Sequence, residues 1–180
     1  MVIVIRRATV NDAADIARIH VQSWQETYRG MMPQSFLDAL DIGQRTKNWT
    51  AELQNPNSVP SFVALVDGQM YGIAGGGAQR PPRDGDVNAA AVGHYDSEIY
   101  RLYVLNEAKG KGLGRKLMRA MADSLTANGM TRPMLWVAAA NPTRAFYEHL
   151  GGKEFARKTE VVGGAELEEI GYGWEDMSAI

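Results

Sequence analysis

Apolar residues recur along this chain at two spacings, every second position in some stretches and every third or fourth in others, and the switches between them divide it into elements. Val2 to Arg6 is β-branched and reads as a strand, and Thr9-Val10-Asn11-Asp12 supplies capping groups for a helix from about Asp12 to Arg29. The helix carries Ala13, Ile16, Ala17, His20, Trp24 and Tyr28 on one face and stops at Gly30 and Pro33. A second helical region spans about Gln34 to Gln54, with a break near Asp41-Ile42-Gly43. Phe62 to Val66, the turn Asp67-Gly68 and Gln69 to Ala74 predict a hairpin with a two-residue loop. From Gly75 to Gly93 the composition turns to glycine, proline and small residues, which predicts a mobile loop with little core content, placed to cover a site. A strand over roughly Glu98 to Leu105 then feeds a glycine turn and a helix to about Ala127, whose inward face is Leu113, Leu117, Ala120, Met121 and Leu125. Met134 to Ala138 reads as a buried strand and Thr143 to Leu150 as a short helix stopped by Gly151-Gly152. Lys153 to Val162 and Glu166 to Trp174 close the chain as a hairpin across Gly163-Gly164. Strands alternating with helices between flanking hairpins predict an α/β fold, a mixed sheet of six to seven strands with helices on both faces.

Composition narrows this picture. With 180 residues, 45% of them hydrophobic, the chain is expected to form one domain over residues 1–180. A formal net charge of -2 provides no global attraction to nucleic acid or to an anionic membrane. The absence of cysteine excludes disulfides, thiolate zinc sites and a thiol nucleophile, and no metal is expected. The apolar run at Val2 to Ile5 is too short for a signal-peptide core, and no stretch approaches a membrane span, so the expected location is the cytoplasm.

Against that acidic background, Lys109, Lys111, Arg115, Lys116 and Arg119 place five cations within eleven residues. They surround Gly110, Gly112 and Gly114, which follow a strand and open a helix. Glycines without Cβ atoms let the backbone approach a ligand closely, and the free amides of a first helical turn carry partial positive charge, so the turn is suited to phosphate. It is not a Walker loop, since Arg115 stands five residues after Gly110, where that loop requires its second glycine. It is not a dinucleotide fingerprint, because Arg115 stands where the third glycine belongs and Met134-Leu135 where the ribose-reading acid belongs. The arrangement Lys109-x-x-Gly112-x-Gly114 instead resembles the pyrophosphate loop of the GNAT superfamily of acyl-CoA-dependent N-acyltransferases, with Lys109 in place of the usual Arg or Gln. A second segment, Leu135-Trp136-Val137-Ala138-Ala139-Ala140-Asn141-Pro142-Thr143-Arg144-Ala145-Phe146-Tyr147-Glu148-His149-Leu150-Gly151, resembles the second motif of that superfamily, and the order of elements follows its fold.

The resemblance implies an N-acetyltransferase that passes the acetyl group of acetyl-CoA directly to a small-molecule or peptide amine. It implies a diphosphate held by Lys109, Gly110, Lys111, Gly112, Leu113, Gly114 and Arg115, and a pantetheine arm held by Leu102, Tyr103, Val104 and Asn141. Tyr147 is expected to protonate the leaving sulfur, since expulsion of a thiolate is helped by an acid. Glu98 is expected to deprotonate the amine, or else to be a solvated carboxylate or a partner of Arg101. In a regular strand Glu98, Tyr100 and Leu102 share one face and Ile99, Arg101 and Tyr103 the other, unless a bulge intervenes. Trp24, Tyr28 and Met31 are the acceptor candidates, although i, i+4 spacing suits Trp24 and Tyr28 equally to a core. His94 reads as an ordinary surface histidine. A non-catalytic acyl-CoA sensor is the alternative function, a nucleic-acid binder is disfavoured for lack of interleaved aromatics, and a homodimer is compatible with the apolar closing hairpin.

Overall fold

The computed structural model describes residues 1–81 and 89–176. Its strands are β1 (Ile3–Arg7), β2 (Ser61–Val66), β3 (Gln69–Ala78), β4 (Ser97–Val104), β5 (Pro133–Ala138), β6 (Lys153–Val162) and β7 (Ala165–Gly173). Its helices are α1 (Ala13–Thr27), α2 (Gln34–Asp38), α3 (Ile42–Gln54), α4 (Ala89–Val92), α5 (Leu113–Ala127) and α6 (Arg144–His149). The strands form one mixed sheet in the order β1-β2-β3-β4-β5-β7-β6, parallel only between β4 and β5. The helical region after Pro33 is broken between α2 and α3, where the Asp41 carboxylate accepts a hydrogen bond from the Gln44 amide and caps α3.

Helix α5 packs on one face of the sheet because its apolar residues return every fourth position. Leu113, Leu117, Met121 and Leu125 are buried with Met118 and Ala122 against Ile99, Leu135, Val137, Ile170 and Tyr172. Each such Leu or Met side chain contributes about 1.5–3 kcal/mol by leaving water. On the other face, Ile16, Ile19 and Trp49 of α1 and α3 bury against Val63 and Ile73. Helices α1 and α3 cover this face over β2 and β3, and Leu37 of α2 packs on Leu167 of β7. Beyond that cover lie Trp136 of β5, Lys158 of β6 and Glu169 of β7, and these line a cavity.

The stretch read from sequence as a loop from Gly75 to Gly93 is corrected at both ends. Gly75 to Ala78 continue β3, and Ala89 to Val92 form α4, with Val92 buried beside Tyr95 and Met134; residues 82–88 lie outside the described residues. The glycines have a positive role, because Gly75 pairs with Arg101 and Gly76 with Ile99, which leaves Tyr100 as an extra residue in β4. A Cβ on Gly76 would lie 2.5 Å from the Glu98 carbonyl oxygen and 3.0 Å from the Ile99 Cα. Only glycine lets β3 approach the bulge this closely. Gly76→Ala is therefore expected to cost about 1–3 kcal/mol in urea unfolding. Gly75→Ala, whose nearest obstacle is the Ser61 hydroxyl at 3.0 Å, is expected to cost less.

Candidate active site

The bulge decides what β4 presents. With Tyr100 inserted, Ile99, Leu102 and Val104 all pack toward α5, while Arg101 lies over the Trp49 ring at 4.5 Å and Tyr103 joins the α1 side. The bulge that the alternation allowed for is present, and it moves Leu102 to the α5 side while Tyr100 stays near Glu98, its ring 4.6 Å from the Arg80 guanidinium that pairs with Glu98. Strands β4 and β5 pair only at Ser97–Pro133 and Glu98–Met134 and then part. The gap opens into a cavity of about 790 Å³ that reaches from Glu98, past Leu102, Tyr103 and Val104, to the start of α5. Here the edge of β4 that faces β5 offers backbone groups to a ligand.

At the wide end, Gly110 and Gly112 adopt left-handed φ values of 76° and 78°, and Gly112 begins α5. Lys109, Gly110, Gly112, Leu113, Gly114 and Arg115 line the cavity. Lys111 does not; its ammonium lies 5.9 Å from the centre of the Tyr71 ring. A Cβ on Gly112 would meet nothing within 4 Å, so the space beside this backbone is open to a ligand, and the first turn of α5 supplies amides without intrahelical partners. The cradle fits a diphosphate. A Cβ on Gly114 would instead lie 3.2 Å from the Phe146 ring, so the second motif packs directly on the first.

Asn141 and Tyr147 stand in the opposite wall, both buried. The Asn141 side-chain oxygen accepts from the Thr143 amide at 2.9 Å and the Thr143 hydroxyl at 2.8 Å, which fixes the approach to α6. With that oxygen used, its NH2 group is the part left to donate to a ligand. Burial pushes the Tyr147 phenol well above the usual tyrosine range, with a smaller contribution from nearby Tyr103, so it remains protonated near neutrality.

Glu98 lines the same cavity but is already held. Its carboxylate accepts from the Arg80 backbone amide at 3.2 Å and from Arg80 Nε at 3.0 Å, while Arg80 Nη2 donates to its second oxygen. The partner is Arg80 and not Arg101, which instead pairs with Glu52 at 2.8 Å. His94 is exposed and lies 2.9 Å from the Glu175 carboxylate, as expected of a surface histidine.

Residues 77–162 match the family model described as FR47-like protein. Over 179 residues the chain is 31% identical to the uncharacterized N-acetyltransferase YuaI of Bacillus subtilis (strain 168), covering 99% of this chain and 96% of that one. The chain belongs to the GNAT superfamily. In fold it is similar to an N-acetyltransferase from Staphylococcus aureus Mu50, with a TM-score of 0.72 and 21% identity over 99% of this chain and 100% of that one. It is also similar to the PaiA N-acetyltransferase of Thermoplasma acidophilum, determined in complex with coenzyme A, with a TM-score of 0.66 and 18% identity over 94% and 98% of the two chains. The seven-stranded sheet with helices on both faces is the GNAT fold.

In this GNAT chain the far end of the cavity is walled by Trp24, Tyr28 and Met32. The acceptor expectation had named Met31, which packs beside Met32 and Leu37 without lining the cavity. The Trp24 and Tyr28 rings pack 5.1 Å apart among apolar neighbours, as a core reading expects, and also line the cavity. The Trp24 indole donates to the Tyr103 hydroxyl at 3.0 Å and ties α1 to β4. Sequence reasoning missed Arg80, Trp136, Lys158 and Glu169. Period-two alternation of Leu167, Glu169 and Gly171 against Glu168, Ile170 and Tyr172 was the available signal for the last of these.

Behind this wall His20 lies 5.1 Å from the Tyr103 ring, and its Nδ1 accepts a 3.4 Å hydrogen bond from the Trp49 indole. Burial, reinforced by Arg45 and Arg101, lowers it from 6.5 to about 3. The unfolded chain takes up this proton first, so stability is complete above pH 6.5 and falls between 6.5 and about 3, by up to about 1.4 kcal/mol per pH unit. Asp12 acts in a lower window, because Arg6 and Thr9 hold it at about 2 against an ordinary 3.8. In thermal unfolding from pH 7 to pH 4, His20→Phe is expected to flatten the acid-side loss seen in the wild type.

Among the described residues, no group of three or more His, Asp or Glu side chains is placed to hold a metal, and no helix is long and apolar enough to cross a membrane.

Proposed function

We propose that the chain transfers the acetyl group of acetyl-CoA to a primary amine in a ternary complex. One observation carries this reading: parted β4 and β5 open a single cavity that joins the glycine-framed start of α5 to the buried Tyr147. Acetyl-CoA, when bound, supplies a thioester carbonyl open to attack. Lys109, Arg115 and the amides from Gly110 to Gly114 neutralise the diphosphate, and the free edge of β4 with the Asn141 NH2 aligns the arm that follows. A β4 amide polarises the carbonyl as negative charge develops on its oxygen. Tyr147 donates its proton to the departing sulfur. Trp24, Tyr28 and Met32 enclose the acceptor and exclude water. The coenzyme A held by the PaiA neighbour supports the donor assignment by likeness of fold.

Calorimetric titration with acetyl-CoA, followed by thiol release and mass spectrometry across a panel of amines, tests the proposal. Saturable binding with acetylated product is expected; binding without thiol release from any amine would identify a sensor instead.

A further inference from the structure

We propose that Glu169 receives the proton of the acceptor ammonium. The assignment rests on the acyl-transfer reading of the same cavity and names a group for the step that Glu98 is poorly placed to perform, since three donors of Arg80 already occupy the Glu98 carboxylate. Glu169 lies on β7 opposite Ala138 of β5 and Lys158 of β6. It shares its face with Leu167, which packs on Met32 beside Tyr28. Glu169 lines the same cavity as Tyr28, Tyr103 and Tyr147. Glu169 is only 18% exposed, and its direct partner is the Lys158 ammonium at 3.5 Å, a longer and looser contact than the Arg80 clamp on Glu98. Lys158 is itself shared with Glu160 at 3.4 Å and lies 4.5 Å from the centre of the Trp136 ring.

The groups facing Glu169 act in opposite senses. Burial raises it above the ordinary carboxylate range, Lys158 and Arg80 oppose that rise, and Glu160 adds to it; Tyr28 faces it from the end of α1. A carboxylate in such surroundings holds a proton more readily than one in water, which suits a base. In the step itself an ammonium N–H bond breaks, its electron pair stays on nitrogen and the proton passes to a Glu169 oxygen. The free amine forms the N–C bond as the C–S bond breaks. The sulfur takes the Tyr147 proton, and the second proton shed by the new amide nitrogen restores that phenol. Glu169 returns its proton to solvent, so each turnover yields amide, thiol and one solvent proton.

The test uses the full chain with acetyl-CoA and n-butylamine, thiol release being followed from about pH 6 to about pH 9.5 for the wild type, Glu169→Gln, Glu169→Asp and Glu98→Gln. Glu169→Gln is expected to lose about 10²–10⁴-fold in kcat at pH 7 and to exchange the wild-type acidic limb, which levels off once Glu169 is ionised, for a rise of about tenfold per pH unit that continues across the range as free amine accumulates. Glu169→Asp is expected to restore part of the rate, and Glu98→Gln to keep the acidic limb whatever its rate. Acetyl-CoA affinity by calorimetry is expected to be unchanged in Glu169→Gln. Wild-type rate and pH profile in Glu169→Gln, or a loss uniform with pH, would overturn the assignment alone. A wild-type protein that binds no acetyl-CoA would overturn the acyl-transfer reading and this assignment with it.

Discussion

Tyr147→Phe is expected to lower kcat with the best amine acceptor by about 10²–10⁴-fold, the usual contribution of a positioned general acid. Acetyl-CoA affinity is expected to be retained. The substitution removes one oxygen and keeps the ring that packs 5.3 Å from Phe146 and 6.2 Å from Tyr172, so the wall of the cavity survives. What disappears is the proton for the departing sulfur. Because burial raises the phenol far above neutrality, Tyr147 stays protonated throughout the working range, so in the proposed acid role its loss is not expected to be rescued by raising the pH. That behaviour is opposite to the alkaline recovery expected of Glu169→Gln, so the two variants separate acid from base in one set of profiles. Stopped-flow thiol release with calorimetry makes the measurement; equal turnover of Tyr147→Phe and wild type at every pH would remove the acid role.

The element plan was legible because most of its cues are local. Leu113, Leu117, Met121 and Leu125 repeat with the helical period, Asp67-Gly68 marks a two-residue hairpin, and glycines at 110, 112 and 114 follow a strand and open a helix. The errors arose where one segment's conformation is set by another. Gly75, Gly76 and Gly77 look like a loop in isolation, yet they are strand residues chosen for the approach of bulged β4, and nothing in their own neighbourhood announces Tyr100. The same bulge moved Leu102 to the α5 side. The partner of Glu98, Arg80, follows the far end of β3 and is brought near only by strand pairing. Met31 and Met32 differ by one position, which periodicity at a helix end does not resolve. Glu169 is one of several carboxylates in the closing hairpin and gains significance only because β7 inserts between β5 and β6 and places it over the cavity.

The diphosphate cradle gives the second large effect. Gly112→Ala is expected to weaken acetyl-CoA binding by about 10- to 100-fold, the value of about one charge-assisted hydrogen bond, while lowering stability modestly. Gly112 has φ 78°, where an L side chain costs about 1–2 kcal/mol, so alanine draws the turn toward negative φ and rotates the neighbouring amides away from the anion. The protein itself raises no obstacle, since the added Cβ meets nothing within 4 Å; the conflict is with the backbone angle and with the ligand. Gly114→Ala is expected to behave differently. Its Cβ presses on the Phe146 ring at 3.2 Å, and Phe146 adjoins Tyr147, so the first consequence is displacement of the acid and a fall in kcat with a smaller change in affinity. Calorimetry on both variants beside steady-state kinetics distinguishes them. If Gly112→Ala bound acetyl-CoA as tightly as the wild type, the start of α5 would not be holding the diphosphate, and the alignment of the thioester beside Tyr147 would lose its anchor.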